Sequence, residues 1–197
     1  MVAVTLLAAL SFGASPEEAP ETWKKCAEAY RALKSYKGDS ENFLIIQGVR
    51  HKASHGAITY KAPKEFDFTY HDIGLGVSCT LSQTSEGKWQ GSASEDVPSV
   101  FPGSSNAAGF VDDVVELWPY APLAFALNEN TRIYDSFTPQ GTTVEEKMDN
   151  VLCLRVTDGP PGEARTIIWM EKSTRLLRRI RQEFKEGSPE LTVFKPR

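Results

Sequence analysis

Hydrophobic and polar positions follow two different periods along this chain. Between Glu21 and Leu33, apolar residues recur at helical spacing and charged residues occupy the other side, which predicts an amphipathic helix. The apolar positions of this helix are Trp23, Cys26, Ala27, Tyr30 and Leu33. Gly38, which follows a basic segment, is expected to stop it.

After this helix the period changes to two, which predicts strands of about four to eight residues separated by Gly, Pro and Ser. The alternation is clearest in EFDFTY, residues 65 to 70. After Asn130 the strand pattern returns in TRIYDSF, TTVEEKM, VLCLRVTDG, EARTIIWMEK, LLRRIRQEFK and LTVFKPR. Because alternation implies one buried and one solvated face, we expect an antiparallel sheet.

A strongly apolar segment separates the two groups of strands. Its spacing predicts a second helix from Ala107 to Trp118, which Pro119 would end. The apolar face of that helix would consist of Phe110, Val111, Val114, Val115 and Trp118. A further short helix is expected to begin at Pro122 and to continue through Leu127.

The stretch TIIWMEKSTRLLRRI, residues 166 to 180, predicts a β-hairpin that turns through Glu171 to Thr174. In its second limb, strict alternation would put Leu177 and Arg179 on one face and Arg178 and Ile180 on the other. The basic residues there, Arg175, Arg178, Arg179 and Arg181, are interpreted as the charges of a solvated edge strand. The alternative is a patch that faces anionic lipid or an acidic partner.

The simplest architecture that uses every apolar stripe is α+β. It consists of one strongly curved antiparallel sheet of roughly eight to eleven strands, with the helices packed into its concave face.

The N-terminal segment indicates export. An unbroken apolar run from Val2 to Leu10 precedes small residues, so residues 1–14 are predicted to be a signal peptide, cleaved after Ser11 or Ala14. The alternative is a buried N-terminal strand or helix, because the segment carries no Lys or Arg. Residues 15–21 are interpreted as a spacer and residues 22–197 as a single domain. No Cys follows the apolar run directly, so we expect a soluble periplasmic protein without a lipid anchor.

Composition and charge favour an ordinary monomeric globular protein. The chain of 197 residues is 41% hydrophobic and 24% charged, with a formal net charge of -4. An acidic protein of this kind gives no reason to expect a nucleic-acid partner.

Candidate chemistry is sparse. Cys26, Cys79 and Cys153 are too widely separated for a zinc knuckle, and for an exported chain a Cys79–Cys153 disulfide is the preferred pairing. His51 and His55 have the spacing of zinc ligands on a helix, but they fall in a strand and turn pattern, so exposed loop histidines are expected. No nucleophile or phosphate-binding motif is present, so the sequence predicts neither an enzyme nor a cofactor nor a metal site.

Several short motifs, taken in order, resemble the periplasmic lipoprotein-carrier family with the LolA/LolB fold. They are AYRALKSYKG (29–38), YKAPKEFDF (60–68), EGKWQG (86–91), NVLCLRV (150–156) and the hairpin at 166–180. In the hairpin, Met170 and Glu171 replace the family's Ile-Asp, and Arg175 stands at a position that is usually Gly. The family also has a lid-latching arginine, for which Arg50 and Arg132 are the candidates here.

The resemblance implies an unclosed half-barrel with a helical lid over an apolar concave interior. Such a protein would hold a lipid, a lipoprotein acyl chain or another hydrophobic ligand, or it would act as an envelope-sensing or protein-interaction module. A membrane surface or an envelope protein is the partner expected besides the ligand. The residues expected to contact the ligand are Phe43, Ile45, Phe66, Phe68, Phe110, Val114, Trp118, Phe125, Leu127, Ile168 and Trp169.

Overall fold

The computed structural model describes residues 17–94, 114–128 and 137–197. The described helices are α1, Ala19–Arg31, and α2, Ala121–Leu127, which follows a 3-10 turn at Trp118–Tyr120. The strands are β1 Ser35–Ile46, β2 Val49–Lys61, β3 Glu65–Asp72, β4 Val77–Gln83, β5 Trp89–Ala93, β6 Val144–Met148, β7 Val151–Thr157, β8 Arg165–Glu171, β9 Leu177–Glu183 and β10 Glu190–Pro196.

All ten strands form one antiparallel sheet in the order β5-β4-β3-β2-β1-β10-β9-β8-β7-β6. Strands β1 and β10, which are the first and the last in the sequence, pair with each other at the centre of the sheet. Strands β5 and β6 lie at its two edges. Since the edges do not pair with each other among the described residues, the sheet is not closed. The predicted fold class, an α+β half-barrel with an N-terminal helix and a second helical segment, is confirmed.

The two helices pack against one face of the sheet, which we call the inner face. Helix α1 buries Trp23, Cys26, Ala27 and Tyr30, as its amphipathic spacing predicted. It begins at Ala19, inside the segment interpreted as a spacer, and ends at Arg31. Gly38 does not stop it, because Gly38 lies inside β1. Helix α2 confirms the short helix expected from Pro122 through Leu127, although it begins one residue earlier, at Ala121; six of its seven residues are buried.

Alternation along the strands places the main core on the inner face. The inner-face residues of this core include Tyr36, Ile58, Phe66, Phe68, Leu81, Val156, Ile168, Ile180 and Phe194. On the opposite face, which we call the outer face, a second and smaller cluster consists of Cys153, Ile167 and Trp169. Within the described part of the chain, no helix is long and apolar enough to cross a membrane.

The hairpin predicted at residues 166–180 is confirmed, but its second limb does not alternate strictly. The register between β8 and β9 shifts between Trp169 and Met170: Trp169 pairs with Arg179, and Met170 pairs with Leu177. Arg178 is therefore an extra residue of β9, that is, a β-bulge. As a result Leu177 and Ile180 both enter the main core, and the prediction that they point to opposite faces is wrong.

The preferred disulfide is also wrong. All three cysteines are free and buried. Cys79 lies in the main core on β4, whereas Cys153 lies on β7 in the outer cluster. Two residues on opposite faces of one sheet, near its two ends, have no geometry that a disulfide could bridge.

Several predictions lie outside the described residues. They are the signal peptide at 1–14, the first part of the 15–21 spacer, most of the helix at 107–118 with Phe110, and Arg132 in the strand expected at 131–137.

Candidate functional site

The inner face collects most of the residues expected to contact a ligand. Phe66, Phe68, Val114, Phe125 and Ile168 are buried in the main core. Trp118 and Leu127 are half-buried and pack against that core. That these residues contact a ligand stays a prediction.

Trp169 belongs to the outer face instead. Ile168 and Trp169 are neighbours in β8, and neighbours in a strand point to opposite faces. Ile168 enters the main core, so Trp169 lies in the outer cluster, where its indole Nε1 donates a hydrogen bond to Glu146 Oε2 at 3.1 Å. The expectation that both residues line one concave surface is therefore corrected.

Phe43 and Ile45 need the same correction. The register between β1 and β10 runs without a shift from Gly38 opposite Pro196 to Leu44 opposite Glu190. The shift between β1 and β2 at Asn42 and Phe43 arises because Ala53 is an extra residue of β2. Since β1 itself keeps its alternation, Phe43 and Ile45 share the outer face, and Asn42 and Leu44 share the inner face.

The apolar half of the inner face is filled by the protein's own side chains. The ring of Trp23 in α1 contacts the ring of Phe125 in α2, with centroids 5.2 Å apart, and the ring of Phe137 at 5.0 Å. Phe68 in β3 contacts Tyr120 edge to face at 5.3 Å. Any hydrophobic ligand on this half of the face must therefore replace contacts that α2 and its neighbours make.

Open space on the inner face lies nearer the β1–β2 hairpin, in a pocket of about 280 Å³. We call it the Asn42 pocket. The described residues that line it are Asn42, Leu44, Ala53, Ser54, Tyr70, Asp72, Leu117 and Glu190, together with Phe43, although the alternation of β1 places the Phe43 side chain on the outer face. Asn42, Ser54 and Asp72 follow one another across three strands, because Asn42 pairs with Ser54 and Ser54 pairs with Asp72. Glu190 pairs with Leu44 on the other side of β1.

The polar side chains of this pocket are mainly hydrogen-bond acceptors. Asn42 Nδ2 donates to Ser54 Oγ at 3.0 Å, which leaves Asn42 Oδ1 buried without a hydrogen-bond partner in the described structure. Asp72 Oδ1 accepts the backbone N–H of Leu75 at 2.9 Å. No Lys or Arg is among the described lining residues.

The pKa shifts in the pocket agree with a surplus of negative charge and acceptors. Desolvation raises the pKa of Tyr70 to about 12; the hydrogen bond with Ser54 opposes this shift, and the charges of Asp72 and Glu190 add to it. Desolvation also raises the pKa of Glu190, with no nearby cation to oppose it.

Sequence reasoning missed this pocket because it searched for an apolar surface only. The signal was present in the alternation: Asn42 and Asp72 are polar, yet each falls on the inner face of its strand. Whether Asn42 and Asp72 lie close together depends on the register of three strands, which local sequence patterns do not give.

The basic residues of the β8–β9 turn and of β9 lie close to carboxylates. Arg175 contacts Glu17 at 2.9 Å, Arg179 contacts Asp149 at 3.2 Å, and Arg181 contacts Glu183 at 2.9 Å. Arg178 is 3.9 Å from Glu171. Strand β9 lies between β8 and β10, so its interpretation as an edge strand is wrong. Of the two arginines considered for the lid latch, Arg50 is exposed and pairs with Ile45 on the outer face, not in the interior.

The histidines lie on strands of the sheet and not in loops as expected. His51 and His55 are both in β2, and His55 pairs with His71 of β3, with ring centroids 5.2 Å apart. His71 Nδ1 is 2.9 Å from Ser78 Oγ. In the residues described, no three His, Cys, Asp or Glu side chains converge as metal ligands would.

Comparison with known proteins shows the fold. The chain matches the crystal structure of MucB with a TM-score of 0.52 and 14% identity, over 91% of this chain and 58% of that one. It matches the complex structure of Pseudomonas aeruginosa MucA/MucB with a TM-score of 0.49 and 13% identity, over 91% and 56%. It matches the Mycobacterium tuberculosis lipoprotein LppX with a TM-score of 0.46 and 9% identity, over 91% and 93%.

The chain thus spans less than two thirds of the MucB chain that it matches. No protein-family model matches the sequence, and no curated protein does either. The likeness to MucB confirms, at the level of the fold, the resemblance that the sequence motifs indicated.

Proposed function

We propose that this protein is an exported, non-enzymatic binding protein that holds the apolar part of an amphiphilic ligand on the inner face of its sheet. The observation that carries this proposal is the composition of α2. Its sequence, APLAFAL, contains no polar side chain, and Ala121 to Ala126 are all buried. Contacts of this kind are non-directional, so an acyl chain can replace them without leaving buried polar side chains unpaired.

Burial of a long chain offsets the apolar surface of α2 that the exchange exposes. Each CH₂ group that leaves water contributes about 0.8 kcal/mol, so a chain that displaces part of α2 needs no charged group to bind. The Asn42 pocket provides the place where entry would begin, because Leu117 lines the pocket and also packs against the main core.

Export is part of the proposal, and it is supported by the apolar run at Val2–Leu10 and the small residues after it. The absence of a recognisable catalytic motif in the sequence supports a binding protein over an enzyme.

The experiment is native mass spectrometry with lipid extraction, on protein purified from an export-competent host. We expect an added lipid mass on the wild-type protein. Leu117→Asp, which places a charge in the wall of the pocket, is expected to reduce the bound fraction severalfold. Val144→Asp is the matched control, because Val144 is an exposed apolar residue of β6 outside the pocket. Circular dichroism establishes that both variants fold.

A wild-type protein that carries no lipid and takes none up from phospholipid vesicles would contradict the proposal. It would favour a second candidate, a protein-interaction module of the same fold. One observation supports that candidate: four exposed apolar side chains lie at one end of the sheet, near the β1–β2 hairpin. They are Ile46, Val49, Ile73 and Phe184.

A further inference from the structure

Two histidines face each other on the outer face of the sheet. His55 of β2 pairs directly with His71 of β3, and their ring centroids are 5.2 Å apart. Their chain neighbours Ser54 and Tyr70 are buried, so the alternation of both strands points the two imidazoles away from the core. His55 is exposed and His71 is half-buried, so a ligand can reach the pair from solvent.

The distance between the two rings suits a metal ion held between them. Two imidazoles that bind one zinc ion at the tetrahedral angle, with Zn–N bonds of about 2.0–2.1 Å, have ring centroids about 5 Å apart. The separation of His55 and His71 is 5.2 Å, and their planes are inclined at 54°, so the rings are not stacked on each other. Rotation of the side chains can therefore bring both nitrogens to one ion without a movement of the backbone.

Ser78 of β4 orients one of these rings. It lies directly opposite His71, and its Oγ is 2.9 Å from His71 Nδ1. The backbone N–H of Ser78 in turn donates to Ser94 Oγ at 3.2 Å. Histidines that bind metals usually donate their second ring N–H to an acceptor, which fixes the tautomer. When Nδ1 of His71 donates to Ser78, its Nε2 carries the lone pair that a metal needs.

The surroundings leave room for an ion that keeps part of its water shell. The pair lies in an open depression of about 460 Å³. A water molecule occupies about 30 Å³ in the liquid, so this space accommodates an ion with several water ligands. The side chains that line the depression are His55, Thr69, His71, Ser78 and Thr80, together with Tyr70 and Cys79, whose side chains belong to the main core.

The next residue of the same cross-strand row is a carboxylate that is already engaged. Glu41 of β1 pairs with His55, but it contacts Lys52 at 2.7 Å and also contacts Lys195. Its charge offsets that of Lys52 beside the histidines, and we do not count it as a ligand. The described chain therefore supplies two ligands, both of them imidazoles.

We infer that His55 and His71 together chelate one divalent transition-metal ion, zinc or copper, with water in the remaining coordination positions. Imidazole is a preferred ligand of these metals, whereas magnesium and calcium prefer oxygen ligands. This inference goes beyond the proposed function, because it concerns the outer face of the sheet and the hydrophobic ligand is assigned to the inner face. Either proposal can therefore fail without the other.

The experiment is isothermal titration calorimetry with zinc on the untagged protein, after treatment with a chelator and its removal. We expect one zinc ion per chain and no binding of magnesium. His55→Gln and His71→Gln should each weaken zinc binding by at least about tenfold, because either change converts a chelate into a single-ligand site. His51→Gln is the matched control, since His51 is an exposed histidine of the same strand that pairs with Leu44 instead. It should keep the wild-type affinity.

Two further measurements separate a chelate from independent sites. If the two histidines act together, the double variant His55→Gln/His71→Gln should lose little more affinity than either single variant does. Ser78→Ala should weaken binding severalfold through the orientation of His71. Ser82→Ala is its matched control, because Ser82 lies on the same face of β4 but pairs with Asp67. Circular dichroism establishes that every variant folds.

Nuclear magnetic resonance of the imidazole nitrogens identifies the ligands directly. Zinc should shift one ring nitrogen of His55 and one of His71, and should leave His51 unchanged. A wild-type protein that binds no zinc would overturn the inference. So would zinc binding that keeps its full affinity in His55→Gln or in His71→Gln, or that His51→Gln weakens as much as these variants do. None of these results bears on the uptake of lipid by the inner face.

Discussion

The hydroxyl oxygen of Tyr30 accepts a hydrogen bond from the backbone N–H of Leu177 across 3.1 Å, which joins helix α1 to strand β9 inside the core. Leu177 lies beside the bulge at Arg178, where the ladder between β8 and β9 is irregular. The Tyr30 side chain of α1 thus gives the Leu177 N–H the hydrogen-bond partner that the bulge removes from the ladder between β8 and β9. Burial raises the pKa of Tyr30 well above its usual range, so this hydroxyl stays neutral.

Replacing Tyr30 with Phe is expected to destabilise the protein by about 1–3 kcal/mol, because it leaves a buried N–H group unpaired. Urea denaturation followed by circular dichroism measures the difference. Tyr60→Phe is the matched control: its hydroxyl donates to the Pro63 carbonyl at 3.3 Å in a partly buried site, so a smaller loss is expected. Equal losses in the two variants would contradict a special role for the Tyr30 bond.

How far the sequence predicts this fold depends on whether alternation survives along each strand. In β3 it does: Phe66, Phe68 and Tyr70 are all buried, as their spacing indicated. In β9 one extra residue, Arg178, moves Leu177 to the same face as Ile180. A bulge depends on how two strands pair with each other. The hydrophobic pattern of one strand does not contain that information, so its periodicity cannot reveal the bulge.

The candidate site shows the same limit. The apolar inner residues, such as Phe68 and Phe125, could be predicted because burial follows hydrophobicity. The Asn42 pocket could not, because Asn42 and Glu190 are far apart in the sequence and become neighbours only through the pairing of β1 with β10. Of the ten expected ligand residues that the structure describes, Phe43, Ile45 and Trp169 lie on the outer face, because hydrophobicity alone does not say which face a strand residue takes.

Substitutions of Arg175 test the backbone conformation of the β8–β9 turn. Its φ angle is 63°, a left-handed conformation that favours glycine. Arg175→Gly and Arg175→Ala both lose the contact with Glu17, so the two variants differ only in the backbone preference. We therefore expect Arg175→Gly to be more stable than Arg175→Ala by about 1 kcal/mol in urea denaturation. A glycine variant that is no more stable than the alanine variant would contradict the left-handed turn.

The three cysteines provide a test of the two-face arrangement. Burial raises the pKa of the Cys79 thiol to about 11, and it raises the pKa of Cys26 and of Cys153 as well. Because the thiolate is the reactive form, all three should resist an aromatic disulfide reagent in the native state. After unfolding without reductant, three thiols per chain should react. A count of one would show a disulfide, and a bond that peptide mapping assigns to Cys79 and Cys153 would contradict their placement on opposite faces.

The surroundings of His55, which faces His71, are expected to make stability depend on pH. Desolvation lowers the pKa of His55 below its usual 6.5, and the positive charges of Lys52 and His71 lower it further, while Glu41 opposes the shift. The unfolded chain therefore binds a proton at a higher pH than the folded protein does. Stability is consequently expected to decrease as the pH falls through about 6.5, and to be regained as the pH rises above it.

His55→Gln should flatten this dependence, because the variant has no imidazole to protonate at that position. The free energy of unfolding, measured in urea from neutral pH to just above the range in which carboxylates titrate, should fall less steeply for this variant than for the wild type. His51→Gln is the matched control, since His51 lies on the same strand and has no facing histidine in the described register. If His51→Gln flattens the profile as much as His55→Gln does, the lowered pKa of His55 is not the source of the pH dependence.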